Sequence, residues 1–109
     1  MIRHCVFLNF KHDVSTETRT ALFEEVASLQ SQIAGMREIH FGPNCSPEVG
    51  MDKGFSDGFI IDFDDAAARD AYLIHDDHKI VGGKLVAHAK NGVDGILVFD
   101  LEMPIENHS

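Results

Sequence analysis

Tryptophan is absent from this sequence, tyrosine occurs once, at Tyr72, and only three prolines and two cysteines are spread over 109 residues. Basic residues are scarce as well: nine Lys and Arg stand against eighteen Asp and Glu, for a formal charge of −9. Each shortage narrows the field. Nucleic acids and anionic membranes attract clustered Lys and Arg, so this acidic chain is expected to bind neither. Cys5, in a strand-like run, and Cys45, in a turn-rich one, have no metal-type spacing, and free thiols in a reducing compartment are expected. No apolar run approaches the ~20 residues of a membrane-spanning helix, and no secretory leader pattern is present, so a cytoplasmic location is the expectation.

What is there is ordinary globular composition, 44% hydrophobic and 25% charged. The length suits one domain, assigned to residues 1–103, with a flexible tail at 104–109. Ile2 to Phe10 alternates, with Ile2, His4, Val6, Leu8 and Phe10 on one face and Arg3, Cys5, Phe7 and Asn9 on the other. That is strand periodicity, and a strand apolar on both sides lies between two layers. Ser15 followed by Glu17 reads as a helix N-cap with an acidic first turn. The helix it starts carries Leu22, Val26, Leu29 and Ile33 on one face and ends at Gly35, a left-handed cap. Met36 to Phe41 is a second strand, and Gly42 to Gly50, with two prolines, is a loop. Alternation returns with Phe55, Asp57, Phe59, Ile61 and Phe63 sharing one face. Asp64 or Asp65 caps a helix over Ala66 to Tyr72, and a further helical stretch runs from about Asp77 to Lys90, weakened by Gly82-Gly83. Ile96 to Leu101 is the last strand.

The order βαββαβ gives an α+β fold of ferredoxin-like type: a four-stranded antiparallel sheet with helices on one face. The other face would carry Cys5, Phe7, Ile60, Leu97 and Phe99. It is too apolar to leave in water, so two sheets are expected to pack face to face into a two-fold homodimer.

Titratable chemistry is densest in Tyr72-Leu73-Ile74-His75-Asp76-Asp77-His78, at a helix end. A phenol can donate to a developing enolate and an imidazole titrates near neutrality, so Tyr72 and His78 form a candidate catalytic acid–base pair. The plainer alternative is that Tyr72 anchors the helix end and His78 caps its last carbonyls. His4 and Asp57 interrupt apolar stripes, and each needs a partner or a wet cavity. They share strand faces with Val6, Leu8, Phe59, Ile61, Ile96 and Val98. All are expected to border one cavity, with His78 at its mouth, His75 shaping the turn at its rim, and Asp57 near enough to orient His78. Two histidines three apart lack an evident third ligand and the His-Glu-x-x-His pattern, so no metal and no other cofactor is expected. Gly82-Gly83-Lys84 lacks the remaining parts of a phosphate loop.

Several segments, taken together, resemble the stress-responsive dimeric A/B barrel family. They are Ile2-Arg3-His4, Phe41-Gly42-Pro43-Asn44, Gly54-Phe55 with Phe59, the run Ala71 to His78, and Leu97-Val98-Phe99-Asp100. The resemblance covers Ile2 to Leu101 and implies a homodimer whose sheets close into a barrel, a fold shared with small monooxygenases. One plant branch, olivetolic acid cyclase, is a polyketide cyclase with a tyrosine–histidine acid–base pair, and Tyr72 and His78 match that pair by place in the motif. His4 matches a pocket histidine, whereas Asp57 stands where the cyclase has another histidine. Fold does not assign chemistry. Three readings therefore stay open: a family protein with a small hydrophobic or phenolic ligand and no assigned activity, a cofactor-free cyclase, isomerase or lyase, and a cofactor-free monooxygenase.

Overall fold

The computed structural model of the chain describes residues 1–104; the flexible tail expected at 104–109 therefore falls, past Pro104, outside the described residues. Four strands, β1 (Ile2–Leu8), β2 (Met36–Pro43), β3 (Asp57–Phe63) and β4 (Ile96–Glu102), form one sheet in the order β2-β3-β1-β4. Every neighbouring pair is antiparallel. The helices are α1 (Thr16–Ala27), α2 (Ala66–Ile74) and α3 (Asp76–His88). The architecture is the ferredoxin-like α+β fold expected.

Local chemistry sets the element ends. Ser15 Oγ accepts from the Thr18 amide at 3.1 Å to cap α1, and Asp65 Oδ1 accepts from the Ala68 amide at 2.9 Å to cap α2. Gly35 does sit in the left-handed region, at φ +87°, and a Cβ there would lie 2.7 Å from that of Ala68, so the turn into β2 demands glycine twice over. Gly82 and Gly83 do not break α3, because Val81 and Leu85 on either side of them are buried in the core and hold that turn in place.

Several boundaries differ from expectation. The first helix, expected to run on to Gly35, ends at Ala27 and gives way to a 3-10 turn over Ser28–Ser31, so Leu29 and Ile33 are buried beyond α1. Phe10 lies beyond β1, in an isolated bridge to Ala89, because the Asn9 backbone turns to Gly95 and Lys90 instead of a strand. Phe55 is outside β3, its amide closing a turn onto the Asp52 carbonyl. The second strand runs on to Pro43, with Gly42 opposite Gly58, where neither residue has a side chain to obstruct pairing.

The helix-side stripes of β1 and β3 close on α1 and α3: Val6, Leu8, Phe59 and Ile61 are buried with Leu22, Phe23, Val26 and Leu85 in one core. Helices cover the central strands β3 and β1 far better than the edge strand β4, whose Val98 is 56% exposed although it faces the helix side opposite Val6. The other sheet face is apolar and open. Leu97, Phe99 and Leu101 are each about half exposed beside the partly buried Cys5, Phe7 and Ile60. At its rim Arg3 donates twice to Asp62, at 2.8 and 3.0 Å, and that pairing holds the Asp62 carboxyl below the usual carboxylate range.

Candidate functional site

Ala68 and Tyr72 are four apart on α2, so the cap at Asp65 sets both on the face that meets the sheet. Tyr72 is 1% exposed. Its ring centre lies 5.2 Å from that of Phe63 on β3, 5.7 Å from that of His4 on β1 and 4.3 Å from that of His78. Burial among these rings pushes the phenol well above its ordinary range, so Tyr72 keeps its proton and can only lend it in a hydrogen bond.

The chain breaks between α2 and α3 at His75. Its extended backbone ends one helix, and its Nδ1 accepts from the Asp77 amide at 3.1 Å to cap the next. His75 is therefore the turn's own cap, with one ring nitrogen committed to backbone. Three residues on, in the first turn of α3, His78 folds back so that Nδ1 lies 3.1 Å from the Leu73 carbonyl oxygen. A carbonyl only accepts, so Nδ1 carries the proton and Nε2 is left as a lone pair. The half-buried imidazole is held below its usual pKa, chiefly by desolvation, with the nearby His4 and His75 adding to the effect and the Leu73 bond opposing it. At neutral pH His78 is thus a neutral base.

His4, 3% exposed, has the third ring of the cluster. Its Nδ1 lies 2.6 Å from Asp100 Oδ1 on β4, and Asp100 Oδ2 accepts from Arg69 Nη1 of α2 at 3.1 Å. Asp100 and Arg69 were not singled out from the sequence. The available signal was parity: Asp100 shares a strand face with Ile96 and Val98, and antiparallel pairing brings it opposite His4. Among the described residues neither Tyr72 Oη nor His4 Nε2 has a hydrogen-bond partner, yet no fully buried side-chain nitrogen or oxygen is left unsatisfied. The cluster offers a donor on Tyr72 and an acceptor on His78, and the rings of His4 and His78 both lie against the phenol.

The other expected members lie elsewhere. Asp57 does not orient His78: it pairs with Arg19 of α1 at 2.8 Å and with Ser56 Oγ at 2.7 Å. The register sets Asp57 against Leu8 and Ile61 against His4, so it is four residues along the sheet from the cluster, about 13 Å. Val6, Leu8, Phe59 and Ile61 do not line an open cavity but are buried in one core with side chains of α1, α2 and α3. Ile96 is half-buried at the core's edge, and Val98, on the uncovered edge strand, is too exposed to wall a pocket in one protomer. An open concavity of about 630 Å³ lies instead across the sheet's apolar face, floored by Phe7, Gly58 and Ile60 and bounded by the Asn44–Phe55 loop.

The sequence profile of the stress responsive A/B barrel domain matches residues 2–103, and the chain belongs to that family. Among solved structures, it is 35% identical to a dimeric ferredoxin-like protein of unknown function from Jannaschia sp. CCS1, over 94% of this chain and 98% of that one, with a TM-score of 0.86. A Dabb family protein of ferredoxin-like fold from Mesorhizobium loti is 24% identical over 96% and 97%, with a TM-score of 0.70. A hydroxynitrile lyase from Passiflora edulis is 19% identical over 99% and 94%, at a TM-score of 0.77, a likeness of fold. No curated protein matches the chain significantly. The structural relatives include dimers, and no helix among the described residues is long and apolar enough to cross a membrane.

Proposed function

We propose that this stress responsive A/B barrel domain is a cytoplasmic homodimer. Each protomer binds a small hydrophobic carbonyl or phenolic compound at the His4–Tyr72–His78 cluster and moves a proton on it. One observation carries the reading: His78, neutral and with Nδ1 committed to the Leu73 carbonyl, has its ring centre 4.3 Å from that of a phenol that stays protonated, and its Nε2 is free to act as a base. A base and a hydrogen-bond donor in contact, in apolar surroundings, are what enolisation requires. His78 Nε2 would take a proton from the carbon next to a carbonyl. Tyr72 Oη would donate to the oxygen on which negative charge grows, and His78⁺ would return its proton to carbon or oxygen. The proton balance closes within the site, and no redox step is involved. A cyclisation, isomerisation or lyase step can be built on that exchange. The apolar open face, with Leu97 45% and Phe99 57% exposed, supports the second copy.

The test follows deuterium exchange at the central carbon of a 1,3-diketone by NMR, with and without oxygen. Exchange above the buffer rate, lost in His78→Gln, weakened more in rate than in binding in Tyr72→Phe, and equal under both atmospheres, supports the proposal. A buffer-level rate, with no 1,3-diketone or phenol disturbing the His4 and His78 resonances, removes it. Product formation that depends on oxygen would move the protein to the monooxygenase reading.

A further inference from the structure

The pairing of His4 with Asp100 carries an inference beyond the presence of a histidine in the site. Asp100 faces His4 across the β1–β4 ladder, one oxygen on His4 Nδ1 at 2.6 Å and the other on Arg69 Nη1 at 3.1 Å. Arg69 in turn stands one helical turn before Tyr72, so one face of α2 supplies both the clamp on Asp100 and the ring against His4. A buried neutral imidazole has two nitrogens to satisfy, and among the described residues only His4 Nδ1 has a partner. Here that partner has both of its oxygens engaged, so the carboxylate cannot rotate to serve the ring differently.

We infer that Asp100, clamped by Arg69, is a positioning residue that fixes His4 with its proton on Nδ1. Nε2 is then held as an acceptor for a hydroxyl hydrogen of the ligand. This rests on the site proposed above and narrows its occupant. Tyr72 offers a donor to a carbonyl or phenolate oxygen, whereas His4 demands an O–H. A phenol or an enol meets the demand of His4, and an ether or a simple ketone does not.

The experiment reads the His4 tautomer by long-range ¹H–¹⁵N NMR in the intact protein. In the wild type the proton should reside on Nδ1. In Asp100→Asn the Arg69 guanidinium still requires an oxygen, so the amide turns its NH₂ toward His4. Nδ1 must then accept, and the proton moves to Nε2, the wrong-tautomer effect known when the aspartate of a serine-protease triad becomes asparagine. With Arg69→Ala added, the asparagine is free to turn its oxygen back, and the Nδ1–H tautomer should return. In parallel, wild-type protein should bind phenol about fivefold more tightly than anisole, the size of one neutral hydrogen bond, and Asp100→Asn should lose that preference. A wild-type His4 protonated on Nε2, or a tautomer indifferent to Asp100→Asn, overturns the inference. So does a phenol preference that survives the tautomer swap. If the swap occurs but the wild type binds neither phenol nor anisole, the ligand site falls while the positioning of His4 by Asp100 stands.

Discussion

Replacing Asp57 by alanine should unsettle the protein and leave the His78 cluster untouched. The Asp57 side chain is 10% exposed and that of its partner Arg19 20%, with 2.8 Å between Oδ1 and Nη1. Removing one member of such a pair strands the other; fully buried pairs lose about 3–5 kcal/mol in that way. Arg19 keeps some compensation, because its Nε donates to the Val14 carbonyl at 3.0 Å and its guanidinium lies 4.9 Å over the Phe10 ring. A loss of roughly 2–3 kcal/mol is therefore expected, enough to lower the melting temperature of a domain this size by about 10 °C or more. Urea unfolding at one fixed protomer concentration measures it, and a cycle with Arg19→Ala isolates the pair, since a dimer's stability depends on concentration. Asp57→Asn, which keeps an acceptor for Arg19, should lose less. Neither Asp57 nor Arg19 is among the groups that shift His78, so its titration should not move. An unchanged unfolding midpoint together with a displaced His78 titration would refute the argument and return Asp57 to the site.

Two further outcomes follow from the same contacts. Desolvation holds the folded His78 below the ~6.5 of an exposed imidazole, so between those two values the unfolded chain binds more protons than the folded one. Stability should therefore fall as pH drops from about 7 through the lowered value and level off beneath it; His78→Gln should flatten that segment, and a wild-type curve already flat there would refute the assignment. The contribution of Asp62, whose pKa Arg3 lowers, is present above the ordinary carboxylate value and is lost only in stronger acid, so the two segments separate. Phe99→Asp, on a residue 57% exposed in one protomer, should convert dimer to folded monomer in sedimentation at micromolar concentration, with circular dichroism unchanged. A dimer of undiminished affinity would mean that the sheets do not meet on this face.

The fold was legible because the period of apolar residues changes cleanly along the chain and each helix start carries its own capping residue. Ser15 and Asp65 cap where their residue types suggest, and Gly35 turns where a left-handed residue was expected. Boundaries slipped where tertiary partners decide them. The alternation of β1 runs on to Phe10, but strand pairing stops at Leu8, because the loop after α3 takes the Asn9 backbone bonds. The cavity expected between sheet and helices presumed that apolar stripes with polar intruders enclose space. Volume is not written in a pattern, and the large side chains of α1 fill what the stripes leave.

For the site, Tyr72 and His78 were legible because one seven-residue window holds both, and a helix break inside that window brings two rings together without long-range information. His4 and Asp57 were visible as polar residues in apolar stripes, but their partners depend on where each helix crosses the sheet. Tyr72, two turns into α2, still touches Phe63 and His4, so α2 does not travel back along β3 toward Asp57, and the place beside Asp57 falls to α1. The scarcity of basic residues held a clue to these partners. Each of the four arginines pairs with an aspartate: Arg3 with Asp62, Arg19 with Asp57, Arg37 with Asp64, and Arg69 with Asp70 and Asp100. Three of these aspartates, Asp57, Asp62 and Asp100, lie within strands, where an unpaired carboxylate would be costly. A planar guanidinium can span an element boundary and satisfy a carboxylate in two places, which the strongly hydrated lysine ammonium does less well. In an acidic chain with so few cations, a strand aspartate is therefore better assigned to an arginine first and to a histidine second. By that ordering Asp57 would have gone to an arginine before His78. Asp100, whose two oxygens serve Arg69 and His4, would have pointed to His4.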